Sequence, residues 1–88
     1  DELTGLPNRF LCTQHISNAL AHAEHHDSMV AVLLLDLDRF KHINDTFGHE
    51  TGEAVLREIA VRFRSCLREL DILARVGGDE FIVLIDDF

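Results

Sequence analysis

Positive charge is scarce in this sequence: eight Lys and Arg stand against sixteen Asp and Glu, for a formal net charge of -8. With no dense basic run, such a surface repels a phosphate backbone, and nucleic acid is excluded as an expected partner. A polyanion could still bind if a cation bridged it to the carboxylates. Cysteine is also sparse, and Cys12 and Cys66 lack CxxC spacing, so they read as reduced core thiols of a cytoplasmic domain. Pro7 is the single proline, and no Ser/Pro linker, repeat or low-complexity tract divides the chain. Residues 1–88 therefore read as one continuous unit. A long apolar run is missing too. The longest, Met29 to Leu35, falls well short of the ~20 residues that span a bilayer, so no direct membrane contact is expected from this segment.

What is present is a globular composition, 47% hydrophobic and 27% charged. Eighty-eight residues suit one modest core. The chain begins without Met and stops after a strand-like run, which suggests a piece of a longer protein.

Cys12, Ile16, Ala19, Leu20 and Ala23 recur at helical spacing after the turn-like Leu3 to Asn8, predicting a first helix with Pro7 near its start. Met29 to Leu35 is apolar on both alternating faces and predicts a central strand covered on both sides. Asp36 and Asp38 then emerge on one face at its C-terminal end, where α/β sheets tend to bind ligands. Phe40 to Gly48 reads as a mixed polar segment. Val55, Ile59, Phe63, Cys66, Leu67 and Leu70 trace a second long helix. Ile72 to Val76 and Phe81 to Ile85 flank a four-residue turn containing Gly77 and Gly78, a β-hairpin.

The expected order is α-β-α-β-β, an α/β (α+β) fold with the long helix on one sheet face. A strand-helix-strand connection prefers a parallel crossover. In that arrangement the hairpin turn is expected at the opposite edge from Asp36, whereas antiparallel pairing brings them together. The chemistry below favours antiparallel pairing.

Mg2+ takes oxygen ligands, usually one or two carboxylates with water and substrate phosphates. Asp36, Asp79 and Glu80 supply that inventory. Gly77 and Gly78 let the chain turn sharply and let a phosphate approach. Gly and Asp are also routine at solvated hairpin tips. A carboxylate directly ending seven apolar residues is less easily explained by solubility or packing. Asp36-x-Asp38 has the start of a calcium loop, but Phe40 and Lys41 stand where an oxygen ligand and glycine are needed. His22 and His26, four apart, lack third and fourth zinc ligands and read as a solvated helix end.

Four segments in register carry a resemblance: Asp1-Glu2-Leu3-Thr4-Gly5-Leu6-Pro7-Asn8-Arg9; Asp36-Leu37-Asp38-Arg39-Phe40-Lys41 with Ile43-Asn44-Asp45; Gly48-His49 with Gly52; and Arg75-Val76-Gly77-Gly78-Asp79-Glu80-Phe81. Over nearly its whole length the chain resembles the GGDEF domains of diguanylate cyclases. The resemblance implies a ferredoxin-like, palm-type sheet of nucleotide cyclases, present here as the N-terminal portion of the domain. It implies a nucleotidyltransferase that condenses two GTP into cyclic di-GMP with release of pyrophosphate, working as a homodimer. Mg2+ or Mn2+ would be held by Asp36, the Leu37 carbonyl, Asp79 and Glu80.

Asp79, Glu80 and Lys41 are then the catalytic candidates, with Lys41 stabilising phosphate charge. A metal-bound carboxylate is a weak base, so Asp79 or water takes the ribose proton, and both readings stand. Substrate contacts fall to Phe40, Asn44, Glu53, Gly77 and Gly78. Asn44 offers a donor and an acceptor to the guanine edge, though asparagine also serves as a cap. Glu53 departs from the family's aspartate. It adds a methylene where geometry decides base selectivity, and as a first-turn residue it would also favour the helix dipole. Arg68 and Asp71 match the inhibitory product site for cyclic di-GMP, where a local ion pair is the plainer alternative. A catalytically silent module that binds cyclic di-GMP or GTP is the competing function, and the intact Asp79-Glu80 pair favours catalysis. No turnover is expected from these 88 residues alone.

Overall fold

The computed structural model describes residues 1–86. Helix α1 (Arg9–His26) leads to strand β1 (Ala31–Asp36), helices α2 (Phe40–Phe47) and α3 (His49–Cys66), and strands β2 (Ile72–Arg75) and β3 (Glu80–Ile85). Asn8 starts α1, its side chain accepting the Leu11 N–H at 2.9 Å. Asp27 ends the helix in the left-handed region and returns its N–H to the Ala23 carbonyl.

The expected order lacked α2. Its eight residues carry no buried side chain, and it starts at Arg39, which holds a left-handed φ of 62° with no side-chain cap. Nothing in the sequence marks such a start, so the segment read as irregular.

The sheet order is β1-β3-β2, with β3 antiparallel to both neighbours. β1 and β2 are therefore parallel to each other without touching. The expectation that a parallel arrangement would send the hairpin turn to the far edge is corrected by this topology. Parallel strands end at the same edge, and β3 inserted between them starts there.

Among the described residues β3 is the central strand, and β1, which reads as central, is an edge strand. Val32, Leu33 and Leu34 of β1 are 49%, 44% and 64% exposed. The run is apolar on both faces, as a covered strand is, but among the described residues only Leu35 of β1 packs against the core, half-buried. The core lies on the face where Leu73, Phe81 and Val83 meet Leu6 and the Leu56 and Ala60 side of α3. Phe63 stands edge-on to Phe81 with ring centroids 6.0 Å apart. Ala74 and Leu84, of opposite alternation, are buried too.

The helical stripes are met in part: Cys12, Ala19 and Ala23 are buried as expected, and Ile59, Phe63 and Leu67 are half-buried against the core. α1 leaves Leu20 out; α3 buries Gly52, Leu56 and Ala60, while Cys66 and Leu70 are exposed. Cys12 is thus a core thiol and Cys66 is not. No helix among the described residues is long and apolar enough to cross a membrane.

An exposed apolar edge templates pairing with another chain. The 88-residue chain should self-associate through β1, and Leu34→Lys should shift its sedimentation profile toward monomer while circular dichroism is unchanged. An unaltered profile would place the association elsewhere.

Candidate functional site

The β1/β3 register opposes Asp36 to Glu80, and the Leu37 N–H extends the pairing by donating to the Asp79 carbonyl at 3.0 Å. The sheet edge therefore gathers Asp36, Asp79 and Glu80, with Asp38 close enough to add its charge. The Asp79 carboxylate holds the Asp36 carboxyl above its ordinary pKa; desolvation, a side-chain hydrogen bond with Asp79, and the charges of Glu80 and Asp38 act in the same direction. No Lys or Arg forms an ion pair with these carboxylates among the described residues. Nor do three His, Cys, Asp or Glu side chains there form a ready-made metal cage. Mg2+ ordinarily takes only one or two carboxylates and fills its remaining positions with water and substrate phosphate.

A Cβ on Gly77 would meet the Glu80 carboxylate, which folds back over the turn with Cδ 3.2 Å from that position, so a side chain there would have to displace it. Arg75 braces the same turn. Its Nη2 and Nε donate to the Gly78 carbonyl at 2.9 and 3.3 Å, and its Nη1 reaches Asp1 Oδ1 at 3.2 Å. Asp1 also accepts from the Thr4 N–H and hydroxyl, and Arg9 donates to the Val76 carbonyl. The N-terminal motif is thus tied to the hairpin. The sequence gives no role to Asp1 or Arg75, since a pairing across 74 positions has no local signature.

Phe40 and Asn44 of α2, His49, Glu53 and Leu56 of α3, with Leu3, Arg75 and Gly78, line an open cleft of about 390 Å³. Four of the expected substrate contacts (Phe40, Asn44, Glu53 and Gly78) meet there. His49 and Leu3 were missed; His49 could have been found from its i, i+4 spacing to Glu53 on α3. Glu53 lies beyond the first turn of α3, where Glu50 is the acidic residue, so the helix dipole does not account for it. It makes an exposed 3.5 Å pair with Arg57. Lys41 sits exposed in the first turn of α2.

Arg68 and Asp71 belong to another cleft, about 420 Å³, which His15 and Arg64 also line. The Arg68 guanidinium donates to both Asp71 oxygens and, at 2.7 Å, to the Asp86 carbonyl. The Asp71 side chain is 4% exposed, against 54% for Arg68. The plainer local pair is therefore formed, and a ligand would compete with it. His22 and His26 stack with centroids 4.0 Å apart on the exposed end of α1.

A family model described as "Diguanylate cyclase, GGDEF domain" matches residues 1–88. The chain is 53% identical over 85 residues to the diguanylate cyclase TpbB of Pseudomonas aeruginosa, covering 97% of this chain and 20% of that protein. It is 46% identical over 87 residues to the response regulator PleD of Caulobacter vibrioides, covering 99% and 19%. The solved GGDEF domain of TpbB superposes with a TM-score of 0.96 at 51% identity, over all of this chain and 51% of that one. The GGDEF domain of DgcB from Caulobacter crescentus, solved with c-di-GMP, gives 0.94 at 35% identity, over 100% and 50%. The chain thus spans about a fifth of these curated relatives and about half of these solved chains.

Two outcomes follow from the charges. A raised carboxylate pKa means that the fold binds the proton better than the unfolded chain, so stability rises as pH falls through the raised value. At neutral pH the Asp36–Asp79 repulsion is destabilising. Asp36→Asn should raise Tm at pH 7 in low salt, with a gain that shrinks near 1 M salt; a lowered Tm contradicts this. Asp71 is the opposite case. The Arg68 side-chain hydrogen bond, first among its causes, lowers its pKa from 3.8. That stabilisation is complete above 3.8 and is lost as pH falls through the depressed value. Asp71→Asn should therefore lower the urea midpoint at pH 7, with the deficit closing in stronger acid. Equal midpoints at pH 7 would refute it.

Proposed function

The chain belongs to the GGDEF domain family of diguanylate cyclases, and from that premise we propose that it forms the metal and base-binding part of a domain that condenses two GTP into cyclic di-GMP. The observation that carries this reading is the register that sets Asp36 against Glu80 with Asp79 alongside. Asp36, the Leu37 carbonyl, Asp79 and Glu80 would hold Mg2+ or Mn2+. When bound, the ion neutralises triphosphate charge and acidifies the attacking hydroxyl.

The chain's own residues divide the remaining work. Asn44 and Glu53 hold the guanine edge in the cleft, over Phe40. Gly77 and Gly78 keep the turn free of side chains where phosphates pass, and Lys41 adds positive charge. The ribose 3'-oxygen of one GTP attacks the α-phosphorus of the other. The bond to the β-phosphate bridging oxygen breaks, pyrophosphate leaves with the electron pair, and the 3'-hydroxyl proton passes to Asp79 or water. A second such step closes the ring. A two-fold product is most simply built by two half-sites, so a homodimer is the working unit.

Arg68 and Asp71 support a second role for the same domain, in which product returns to the cleft beside His15 and Arg64 as an inhibitor. The DgcB structure, solved with c-di-GMP, lends weight to cyclic di-GMP as a ligand class. A silent receptor is the weaker alternative, because the acidic pair Asp79-Glu80 is intact.

The test uses the chain extended to the full length of the solved domains, incubated with GTP and Mg2+, with products identified by mass spectrometry. Asp79→Ala and Glu80→Ala should each cut cyclic di-GMP output by at least about 100-fold with the fold intact. Undiminished output from both would sink the assignment. Residues 1–88 alone should form no product.

A further inference from the structure

Gly52 has no part in the chemistry above, yet it is buried at the fourth position of α3, where glycine weakens a helix. Its backbone does not need glycine: among the glycines of the described residues, only Gly5 and Gly48 have positive φ. What it needs is the absence of a side chain. A Cβ on Gly52 would collide with Asn44 Oδ1, approach Asn44 Cγ to 2.9 Å, and come within 3.3 Å of Phe40 Cζ. The Asn44 carboxamide therefore lies against the bare Cα of Gly52, across the contact between α2 and α3.

We propose that Gly52 is the positioning residue for base recognition: its missing side chain is the seat that fixes the Asn44 carboxamide in the purine cleft. This rests on the reading that Asn44 contacts the base. The obstructing atoms belong to the end of a short side chain, not to backbone. A methyl at position 52 would thus displace the amide and leave α3 in place. An amide turned from its seat loses paired hydrogen bonds to the base, and sites built on such bonds discriminate strongly. Alanine is also the better helix former, so the substitution separates recognition from stability. Gly52→Ala should keep or raise Tm while weakening GTP recognition. A residue that served only packing would do the reverse.

The experiment is a double-mutant cycle of Gly52→Ala and Asn44→Ala in the chain extended to the complete domain. It measures Tm, KM and kcat for GTP with Mg2+, and preference against ATP. Each single variant should raise KM for GTP about tenfold or more and erode the preference for GTP. The double variant should be no worse than Asn44→Ala, because removing the amide removes the collision. If Asn44→Ala leaves KM and preference unchanged, the base-reading assignment fails and this proposal falls with it. If Asn44→Ala weakens GTP while Gly52→Ala does not, or if the two penalties add in full, only the role of Gly52 is overturned. A Gly52→Ala chain with a lower Tm and native KM also overturns it, and so does one that fails to fold.

Discussion

The pairing of β1 with β3 in one register is the constraint on which the site depends. Asp36 faces Glu80 only in that alignment, and a slip of one residue would turn every side chain of β1 to the other face. What holds the alignment is apolar. Phe81 is completely buried between Leu35 on one side and Arg75 on the other, and its alternation sends neighbouring Glu80 to the opposite face. The carboxylates themselves work against the arrangement, as the raised pKa of Asp36 records. The core of Phe81, Val83, Leu73 and α3 offsets a repulsion that a fold selected for stability alone would have removed.

The hairpin tip is restrained separately. Sheet pairing ends at Arg75 and Glu80, so the intervening turn needs other support. Arg75 provides it, donating to the Gly78 carbonyl while Asp1 holds the far side of the guanidinium. Asp1 is itself fixed by Thr4, and the Arg75 N–H donates to the Pro7 carbonyl. A polar N-terminal segment thereby becomes a brace for the acidic turn. The left-handed φ at Arg39 serves the other side of the site, turning the chain out of β1 and directly into α2.

Legibility followed the range of the interactions. Asp36, Asp79 and Glu80 could be found because strand alternation and a glycine turn are local patterns. The hairpin and the second long helix were legible for the same reason. The edge position of β1 was not, since an apolar run reports what a strand can bury but not which neighbours it has. α2 escaped because it has neither a buried side chain nor a side-chain cap. The Asp1–Arg75 pair joins opposite ends of the described chain and has no local signal. Asn44 and Glu53 were placed by resemblance, and the helix pair that carries them into one cleft appears only in three dimensions.

The cleft and the carboxylate edge are not independent features, because Arg75 and Gly78 belong to both. They line the cleft beside Asn44 and Glu53, and the hydrogen bond between them fixes the tip from which Asp79 enters the acidic cluster. The spacing between the cleft and the carboxylate edge is therefore set by one guanidinium and the turn it clamps. Both neighbours of Gly78 are restrained as well: the Glu80 carboxylate lies over Gly77, and the Asp79 carbonyl accepts the Leu37 N–H. A turn that is glycine-rich in sequence is thus held at each of its four residues in the fold. At Gly77 the missing side chain supplies close approach to Glu80 rather than freedom of movement.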